Sequence, residues 1–385
     1  MTGGGSGGHV TPILSLAHEL KAKDSVRTIY IGHKGDDPKA LVGGELDVME
    51  YVRGGKFRRY HGESLAAHLL DIKTLLLNVR DFFRVIVATV VAWRLLKKYQ
   101  PDVVFSKGGF VAVPVGIAAH ILKIPIVTHD SDSVPGLANR IIGRWAQINA
   151  TGMPDGLYPY PKNKIRYVGV PITDKIKTPS PVDQENYKKE FGVPPGSKLL
   201  VASGGGNGSR TINELLLASA QALLETDKDL HIINAAGRTH ANDLRERYRK
   251  LLDDSSRVKV LGYENEFYKL IEAADLIVGR AGATFINEFA AASKPCIIIP
   301  SPFLSGGHQL KNADELSKND AAVILSNDVR AGSFIKTVKE LLSSPDRRQQ
   351  LATNLHKLAK TDAAGKIADI ILKVAKGRAS TTDAT

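Results

Sequence analysis

The sequence predicts an α/β protein of two Rossmann-like domains, each built on a doubly wound parallel sheet. The chain has 385 residues, more than one compact core usually holds. Short runs rich in β-branched residues alternate with segments of helical period, which is typical of parallel βαβ units. Each half also has its own glycine-rich turn between strand and helix, at residues 3–8 and 204–208.

The predicted strands cover residues 26–31, 103–106, 126–128, 199–202, 232–235, 276–278 and 296–299. A proline-rich interval at residues 169–195 interrupts the alternation and predicts the interdomain linker. We therefore expect one domain over residues 1–170 and a second over 171–345. Residues 346–377 have helical period and are expected to cross back to the first domain, and residues 378–385 are expected to form a disordered tail.

The first glycine-rich turn raises a question about the sheet, because it begins two residues after Met1. Such a turn normally follows a strand. The first strand is therefore expected to be missing. A parallel sheet without a central strand would lose ladder hydrogen bonds and buried apolar area, which predicts low stability.

Composition narrows the class of partner and the compartment. Lys and Arg number 52 against 40 Asp and Glu, and this net charge of +12 favours anionic partners. Nucleic acid is disfavoured because no binding motif occurs and aromatic residues make up only 6% of the chain. The lone Cys296 lies in an apolar run, and neither an export signal nor a membrane-spanning segment is recognisable, so we expect a cytoplasmic protein.

The first glycine run contains G-x-G-x-x-G at Gly3, Gly5 and Gly8, a pattern that lets backbone N–H groups approach an anion. A nicotinamide enzyme is disfavoured, because no acidic residue follows the second strand at His33. Ser6 also matches the serine hydrolase elbow, but three residues separate it from the helix. His9 closes the loop, either as a general base or as a local structural ligand.

A second signature lies at residues 275–288, which predict a strand, a tight turn and a helix. The helix N-terminus suits a diphosphate, and Glu288 suits the two hydroxyls of a ribose, although a solvated carboxylate is the simpler interpretation. After the next strand, His308, Gln309 and Asn312 are candidates for sugar hydroxyls or ordinary polar loop residues.

Together these motifs resemble the MurG family, the GT-B N-acetylglucosaminyltransferases of peptidoglycan synthesis in glycosyltransferase family 28. The resemblance spans most of the chain and rests on GGGSGGHVTP at the start, SKGGFVAVP (106–114), HDSDSVPGLANR (129–140), GGGNGSRTIN (204–213) and GRAGATFINE (279–288). It implies two Rossmann-like domains that face each other across a cleft.

The resemblance also implies an activity. It is the transfer of N-acetylglucosamine from UDP-N-acetylglucosamine to the muramic acid 4-hydroxyl of undecaprenyl-diphosphate-linked lipid I, with inversion and without a protein-held metal or other cofactor. The second domain would hold the donor through Gly205, Gly206, Tyr263, Gly282, Ala283, Thr284 and Glu288, with His308 and Gln309 at the sugar. The first domain would contribute Ser6, Gly7, Gly8 and Asn139. His9 is the first candidate for the catalytic base and Asp132 the second.

Several positions depart from the family pattern. Asp130, Ser131 and Asp132 replace its usual glutamate, glutamine and asparagine, Gly206 replaces a serine, and Thr173 an arginine. Asp130 and Asp132 also form a D-x-D pair, which in another glycosyltransferase class holds Mg²⁺ or Mn²⁺. The family resemblance argues against a metal here.

A membrane surface is the last expected partner. Residues 65–99 combine apolar clusters with basic residues, and the part at residues 73–84 is expected to lie on the anionic inner leaflet. This makes the protein peripheral, at the cytoplasmic face of the cell membrane. Competing hypotheses are a GT-B transferase that acts on diacylglycerol, a UDP-sugar 2-epimerase, and a non-catalytic UDP-sugar-binding protein.

Overall fold

The computed structural model describes residues 1–4, 7–33, 46–55, 72–153, 158–252, 256–303 and 307–382, without the side chains of residues 7–11, 72, 73, 75, 76 and 379–382. The chain divides into two compact units. The first comprises Met1–Thr173 and Thr361–Thr385, and the second Asp174–Lys360. The division falls three residues after the expected boundary at residue 170.

The first unit alternates strands and helices over most of its length. In chain order these are α1 (Gly7–Lys23), β1 (Ile29–His33), β2 (Val48–Val52), α2 (Ile72–Tyr99), β3 (Val104–Ser106), α3 (Ala112–Ile121), β4 (Ile126–Asp130), α4 (Leu137–Ile142), β5 (Ile148–Thr151) and β6 (Ile165–Tyr167). The strands pair in parallel as β1-β2 and as β3-β4-β5-β6.

Residue Thr2 joins these two groups of strands, which corrects the expectation that the first strand is missing. It forms parallel bridges to Ile31 of β1 and Ser106 of β3. Its N–H donates to the Phe105 carbonyl at 2.8 Å, and its own carbonyl accepts from the Lys107 N–H at 2.9 Å. An extended segment of two or three residues is too short to show a strand period, so the sequence prediction overlooked it.

The second unit follows the same alternation. Its elements are α5 (Pro181–Glu190), β7 (Lys198–Ser203), α6 (Arg210–Thr226), β8 (Leu230–Ala235), α7 (Ala241–Leu251), β9 (Val258–Leu261), α8 (Phe267–Ala273), β10 (Leu276–Gly279), α9 (Ala283–Ala291), β11 (Cys296–Ile298), α10 (His308–Lys318), β12 (Val323–Ile324), α11 (Ala331–Ser343) and α12 (Pro345–Lys357). All its strand pairs are parallel, in the order β12-β11-β10-β7-β8-β9.

This strand order places a topological switch point between β7 and β10. From β7 the chain moves outward through β8 and β9, then returns to β10 and moves the other way. Parallel sheets of this kind bind ligands at the carboxyl ends of the strands beside the switch point. The predicted fold class, two α/β domains with parallel sheets, is confirmed.

The C-terminal helices divide between the units, which corrects the prediction that both cross back. Helix α12 stays with the second unit, where Asn354 donates to the Asp320 carbonyl. The last helix, α13 (Ala363–Thr382), belongs to the first unit and buries Ile367 and Ile371 with Ile13 of α1. Its one-turn spacing of isoleucines gives it the apolar stripe that docks on α1. It also continues through five of the residues predicted as a disordered tail, 378–382, while residues 383–385 lie outside the described part.

None of the described helices combines the length and hydropathy needed to cross a bilayer.

Candidate functional site

A glycine loop leaves the carboxyl end of β7 at the switch point. Gly205 and Gly208 have positive φ angles of 94° and 78°, conformations that side chains rarely adopt. The Gly205 N–H donates to Ser203 Oγ at 3.2 Å, and the Gly208 N–H donates to the Gly205 carbonyl at 2.8 Å. The loop then enters α6, whose N-cap Ser209 accepts from the Ile212 N–H. Gly206, at the loop tip, is exposed.

The loops after β8 and β9 lie against this glycine loop. A Cβ on Gly208 would stand 1.9 Å from the Ala236 carbonyl oxygen, and one on Gly237 would stand 2.4 Å from the Gly208 nitrogen. Tyr263, two residues past β9, has its Cε2 atom 3.7 Å from where a Gly206 Cβ would be. The structure therefore brings Gly205, Gly206 and Tyr263 together, as the sequence analysis expects.

Arg280, which the sequence analysis did not select, borders the loop on the β10 side. Its Nε donates to Ser209 Oγ at 3.0 Å, and Nη1 donates to the Ile299 carbonyl at 2.9 Å and to Asn327 Oδ1 at 2.7 Å. The group is half-buried, and desolvation lowers the pKa of its guanidinium. Arg280 thus ties the N-cap of α6 to the segments that follow β11 and β12 and places a positive charge beside them.

The predicted residues Gly282, Ala283 and Thr284 form the N-terminus of α9. Gly282 is the N-cap residue, so no side chain caps the first N–H groups of the helix. Its carbonyl accepts from the Ile286 N–H at 3.0 Å. These first N–H groups and the positive end of the helix dipole form a ready anion site at the carboxyl end of β10.

Glu288 lies on the same helix, one turn and a half from Gly282. Burial of its carboxyl raises the pKa of Glu288 to about 8, and no donor or cation of the described residues offsets this shift. With this pKa the carboxyl is largely protonated at pH 7, the form that desolvation favours, and strongly shifted groups often mark functional sites. Glu288 as a residue is half-buried, so its carboxyl is desolvated while part of the residue still faces solvent.

The predicted sugar-side residues begin helix α10. His308 is its first residue, and Gln309 is buried, with its Oε1 accepting from the Ser301 N–H at 2.8 Å. The amide nitrogen of Gln309 donates to none of the described residues. Asn312, a third candidate, is buried and donates to the Ala281 carbonyl at 2.9 Å. It holds α10 against the loop that precedes α9.

In the first unit, a buried polar cluster forms where β3 and β4 end. Asp130 accepts hydrogen bonds from Tyr160 Oη at 2.7 Å and from Asn139 Nδ2 at 3.1 Å. Burial raises the pKa of Asp130 despite these donors. Lys107 donates to Ser131 Oγ at 2.6 Å, and burial lowers the pKa of its ammonium to about 8. Lys107 was missed in the sequence because its burial depends on packing between loops.

Asn139, which the family resemblance implies as a substrate contact, lies inside the first unit. It is 1% exposed, and its amide is engaged inside the protein. Its Oδ1 accepts from Ser106 Oγ at 2.9 Å, and Nδ2 donates to the His129 carbonyl at 2.9 Å as well as to Asp130. Asn139 therefore orients Asp130, because helix α4 carries it back onto the end of β4.

The remaining predicted residues of the first unit are only partly described. Ser6 lies outside the described residues. Gly7, Gly8 and His9 form the first turn of α1, but the side chain of His9 is outside the described part. Asp132 follows β4 by two residues, and its backbone carbonyl accepts from Tyr158 Oη at 2.8 Å. In the described ranges, no group of three or more His, Cys, Asp or Glu side chains is arranged to hold a metal.

The fold and these loops define the class of protein: a two-domain α/β chain with a glycine loop at the switch point of its second sheet. Two family models match it. The glycosyltransferase family 28 N-terminal domain matches residues 1–150, and the glycosyltransferase family 28 C-terminal domain matches residues 199–367.

Individual proteins agree with the family models. The chain is 32% identical to the UDP-N-acetylglucosamine–N-acetylmuramyl-(pentapeptide) pyrophosphoryl-undecaprenol N-acetylglucosamine transferase of Halothermothrix orenii, with 98% of each chain covered. It is 34% identical to the transferase of that name from Clostridium perfringens strain ATCC 13124, over 97% of this chain and 98% of the relative. The crystal structure of Acinetobacter baumannii MurG matches with a TM-score of 0.70 at 23% identity, over 97% and 98% of the two chains. The chain belongs to glycosyltransferase family 28.

Proposed function

We propose that the protein transfers N-acetylglucosamine from UDP-N-acetylglucosamine to the muramic acid 4-hydroxyl of undecaprenyl-diphosphate-linked lipid I, with inversion at the anomeric carbon. One structural observation carries the donor half of this proposal. The uncapped N-terminus of α9 and the glycine loop after β7 both lie at the carboxyl end of one sheet, and Glu288, whose carboxyl pKa is raised by desolvation, follows on α9. The acceptor half rests on the printed names of the relatives.

Each part of a UDP-sugar has a matching group in the second unit. The N–H groups that begin α9 and the exposed N–H of Gly206 are the proposed ligands of the diphosphate. Glu288 accepts hydrogen bonds from the two ribose hydroxyls, and Tyr263 lies beside the uracil base. The Gln309 amide nitrogen, which the described residues leave without an acceptor, donates to a sugar hydroxyl, with His308 next to it.

The proposed reaction is a single displacement. The acceptor hydroxyl attacks the anomeric carbon while UDP leaves, so one proton is removed and negative charge grows on the diphosphate. The helix dipole of α9 and the nearby Arg280 stabilise that charge, which is the role a metal plays in other transferases. His9 is the first candidate for the base and Asp132 the second.

A membrane surface is the proposed location of the acceptor. Helix α2 exposes six large apolar side chains at helical spacing, with exposed fractions from 46% to 62%: Val79, Phe82, Phe83, Ile86, Val87 and Val90. Spacings of three and four residues place them on one face, and Arg80 and Arg84 flank it. Such a face inserts into the headgroup region of an anionic leaflet, so we propose a peripheral protein at the cytoplasmic face of the membrane.

Product formation tests the activity directly. With UDP-N-acetylglucosamine as donor, we expect UDP release to depend on a lipid I analogue and the disaccharide product to appear in equal amount. His9→Ala should lower kcat by about 10²-fold or more, the usual contribution of a general base. Equal release without acceptor would indicate a hydrolase, and conversion of the donor to its C2 epimer without net UDP release would indicate an epimerase. Transfer to diacylglycerol but not to the lipid I analogue would indicate a GT-B transferase that acts on diacylglycerol. Binding of UDP without turnover would indicate a non-catalytic binding protein.

The pKa of Glu288 predicts a pH dependence of UDP binding. The ionised carboxylate accepts two ribose hydrogen bonds, whereas the protonated acid accepts fewer, so nucleotide binding favours the ionised form. At pH values below its pKa of about 8, the Glu288 carboxyl of the free protein is mostly protonated and must lose this proton when UDP binds. The affinity for UDP should therefore rise with pH between 7 and 8 and level off above. The expected rise between pH 7 and 8 is about fivefold, because the ionised fraction grows from about one in eleven to about one half. Calorimetry between pH 7 and 9 measures it, above the second phosphate pKa of about 6.

Glu288→Gln is the matched control for this profile, because its amide has no proton to lose in this range. The variant should bind UDP more weakly at pH 8 and show no rise between pH 7 and 8. A wild-type affinity that is constant over the interval would contradict the assignment of Glu288 to the ribose.

Vesicle binding tests the proposed membrane face. A Phe82→Ser, Phe83→Ser double variant should lose about tenfold or more of its affinity for vesicles that contain anionic lipid, since both apolar rings leave the bilayer. Its UDP affinity should stay unchanged. Val182→Ser, at an exposed apolar position of the second unit, is the control. Unaltered vesicle binding by the double variant would overturn the assignment of this face.

A further inference from the structure

The ring of Tyr263 has a charged partner that no motif predicts. The guanidinium carbon of Arg238 lies over this ring, 4.1 Å from its centroid. That distance is well inside the range of a cation–π contact, which extends to about 6 Å. The pair stands at the carboxyl ends of β8 and β9, beside the tip of the glycine loop.

Local backbone geometry brings the two side chains together. Gly237 has a φ of 90°, which turns the chain sharply after β8 so that Arg238 follows the turn. Gly262, just before Tyr263, would place a Cβ 4.0 Å from the Arg238 Cα. This distance is an ordinary van der Waals contact, so the two loops run side by side, and Arg238 and Tyr263 extend from them in contact.

Tyr263 needs such a partner if it is to keep one orientation. Its side chain is 51% exposed, although its Cε2 edge reaches the glycine loop at Gly206. A half-exposed tyrosine on a loop exchanges between rotamers unless one of them is held. Arg is well suited to this task, because its planar guanidinium stacks on an aromatic face and stays charged at every physiological pH.

We propose that Arg238 is a positioning residue, whose stacked guanidinium holds the Tyr263 ring beside Gly206 as the preformed wall of the groove that takes the uracil and ribose of the donor. This inference rests on the proposed function, because it assumes that a uridine nucleotide binds at this loop. It adds a residue that acts through Tyr263 and does not touch the reacting atoms.

A direct phosphate contact is the competing role for Arg238, and the two roles predict different ligand dependence. If Arg238 contacts the phosphates, its replacement weakens the binding of UDP more than that of UMP and leaves uridine binding unchanged. The reason is that the interaction grows with phosphate charge. If Arg238 positions Tyr263, its replacement weakens the binding of all three ligands by the same factor, since each of them carries the base and ribose.

The test is a set of Kd values for uridine, UMP and UDP. Arg238→Ala should weaken all three by about two- to fivefold, the factor expected for an exposed cation–π contact. Arg238→Lys should recover part of the loss, because an ammonium also stacks on the ring, while Arg238→Gln should not. In a Tyr263→Ala background, Arg238→Ala should have no further effect. With the full enzyme the change should appear in the KM for the donor and leave kcat unaltered.

Arg249→Ala is the matched control, because Arg249 is an exposed arginine of the adjacent helix α7. It should bind all three ligands as the wild type does. Losses that increase from uridine to UDP, or full additivity with Tyr263→Ala, would overturn the positioning role. A wild type that binds UDP while Arg238→Ala binds equally well would refute this inference alone, whereas a folded wild type that binds no UDP would refute the proposed function itself.

Discussion

Close backbone contact between the loops after β7 and β8 is the constraint on which the nucleotide face of the second unit depends. No side chain fits at Gly208, because its Cβ would stand 1.9 Å from the Ala236 carbonyl oxygen. Asn213 fixes the same carbonyl from α6, with its Nδ2 at 3.0 Å. This contact sets where the glycine loop ends and where β8 turns. The loop that carries Tyr263 is held to the same β8 turn, because the Ala236 N–H donates to the Leu261 carbonyl at 2.8 Å.

The two units prepare their polar groups in different ways. In the first unit, Asp130 is buried but already held by Tyr160 and Asn139, so its position is fixed before any ligand arrives. In the second unit, Glu288 is half-buried, and desolvation raises the pKa of its carboxyl to about 8. No donor among the described residues offsets this shift. The carboxyl of the first unit is therefore held by its own network, whereas that of Glu288 is not.

Those parts of the fold and site that have a local signal were predictable from the sequence. The glycine loop, the start of α9 and Glu288 stand out because glycine-rich turns have a distinctive composition, and the central strands of both sheets because their apolar runs are continuous. Strand β9 and the Thr2 bridge are short and lack such a pattern. Arg280 and Arg238 could not be predicted, since each acts on a residue of another loop, Ser209 and Tyr263, that only the fold brings near. The internal hydrogen bonds of Asn139 could not be predicted for the same reason.

In the proposed function, backbone N–H groups of the second unit bind a nucleotide diphosphate at the glycine loop and at the start of α9. Amide hydrogen exchange, measured with and without UDP, tests it most directly. In the free protein the first amides of α9 have no side-chain cap at Gly282 and should exchange fast. The account predicts that UDP slows exchange in residues 204–209 and 282–286 together. Binding of UDP that leaves both segments unprotected would contradict it.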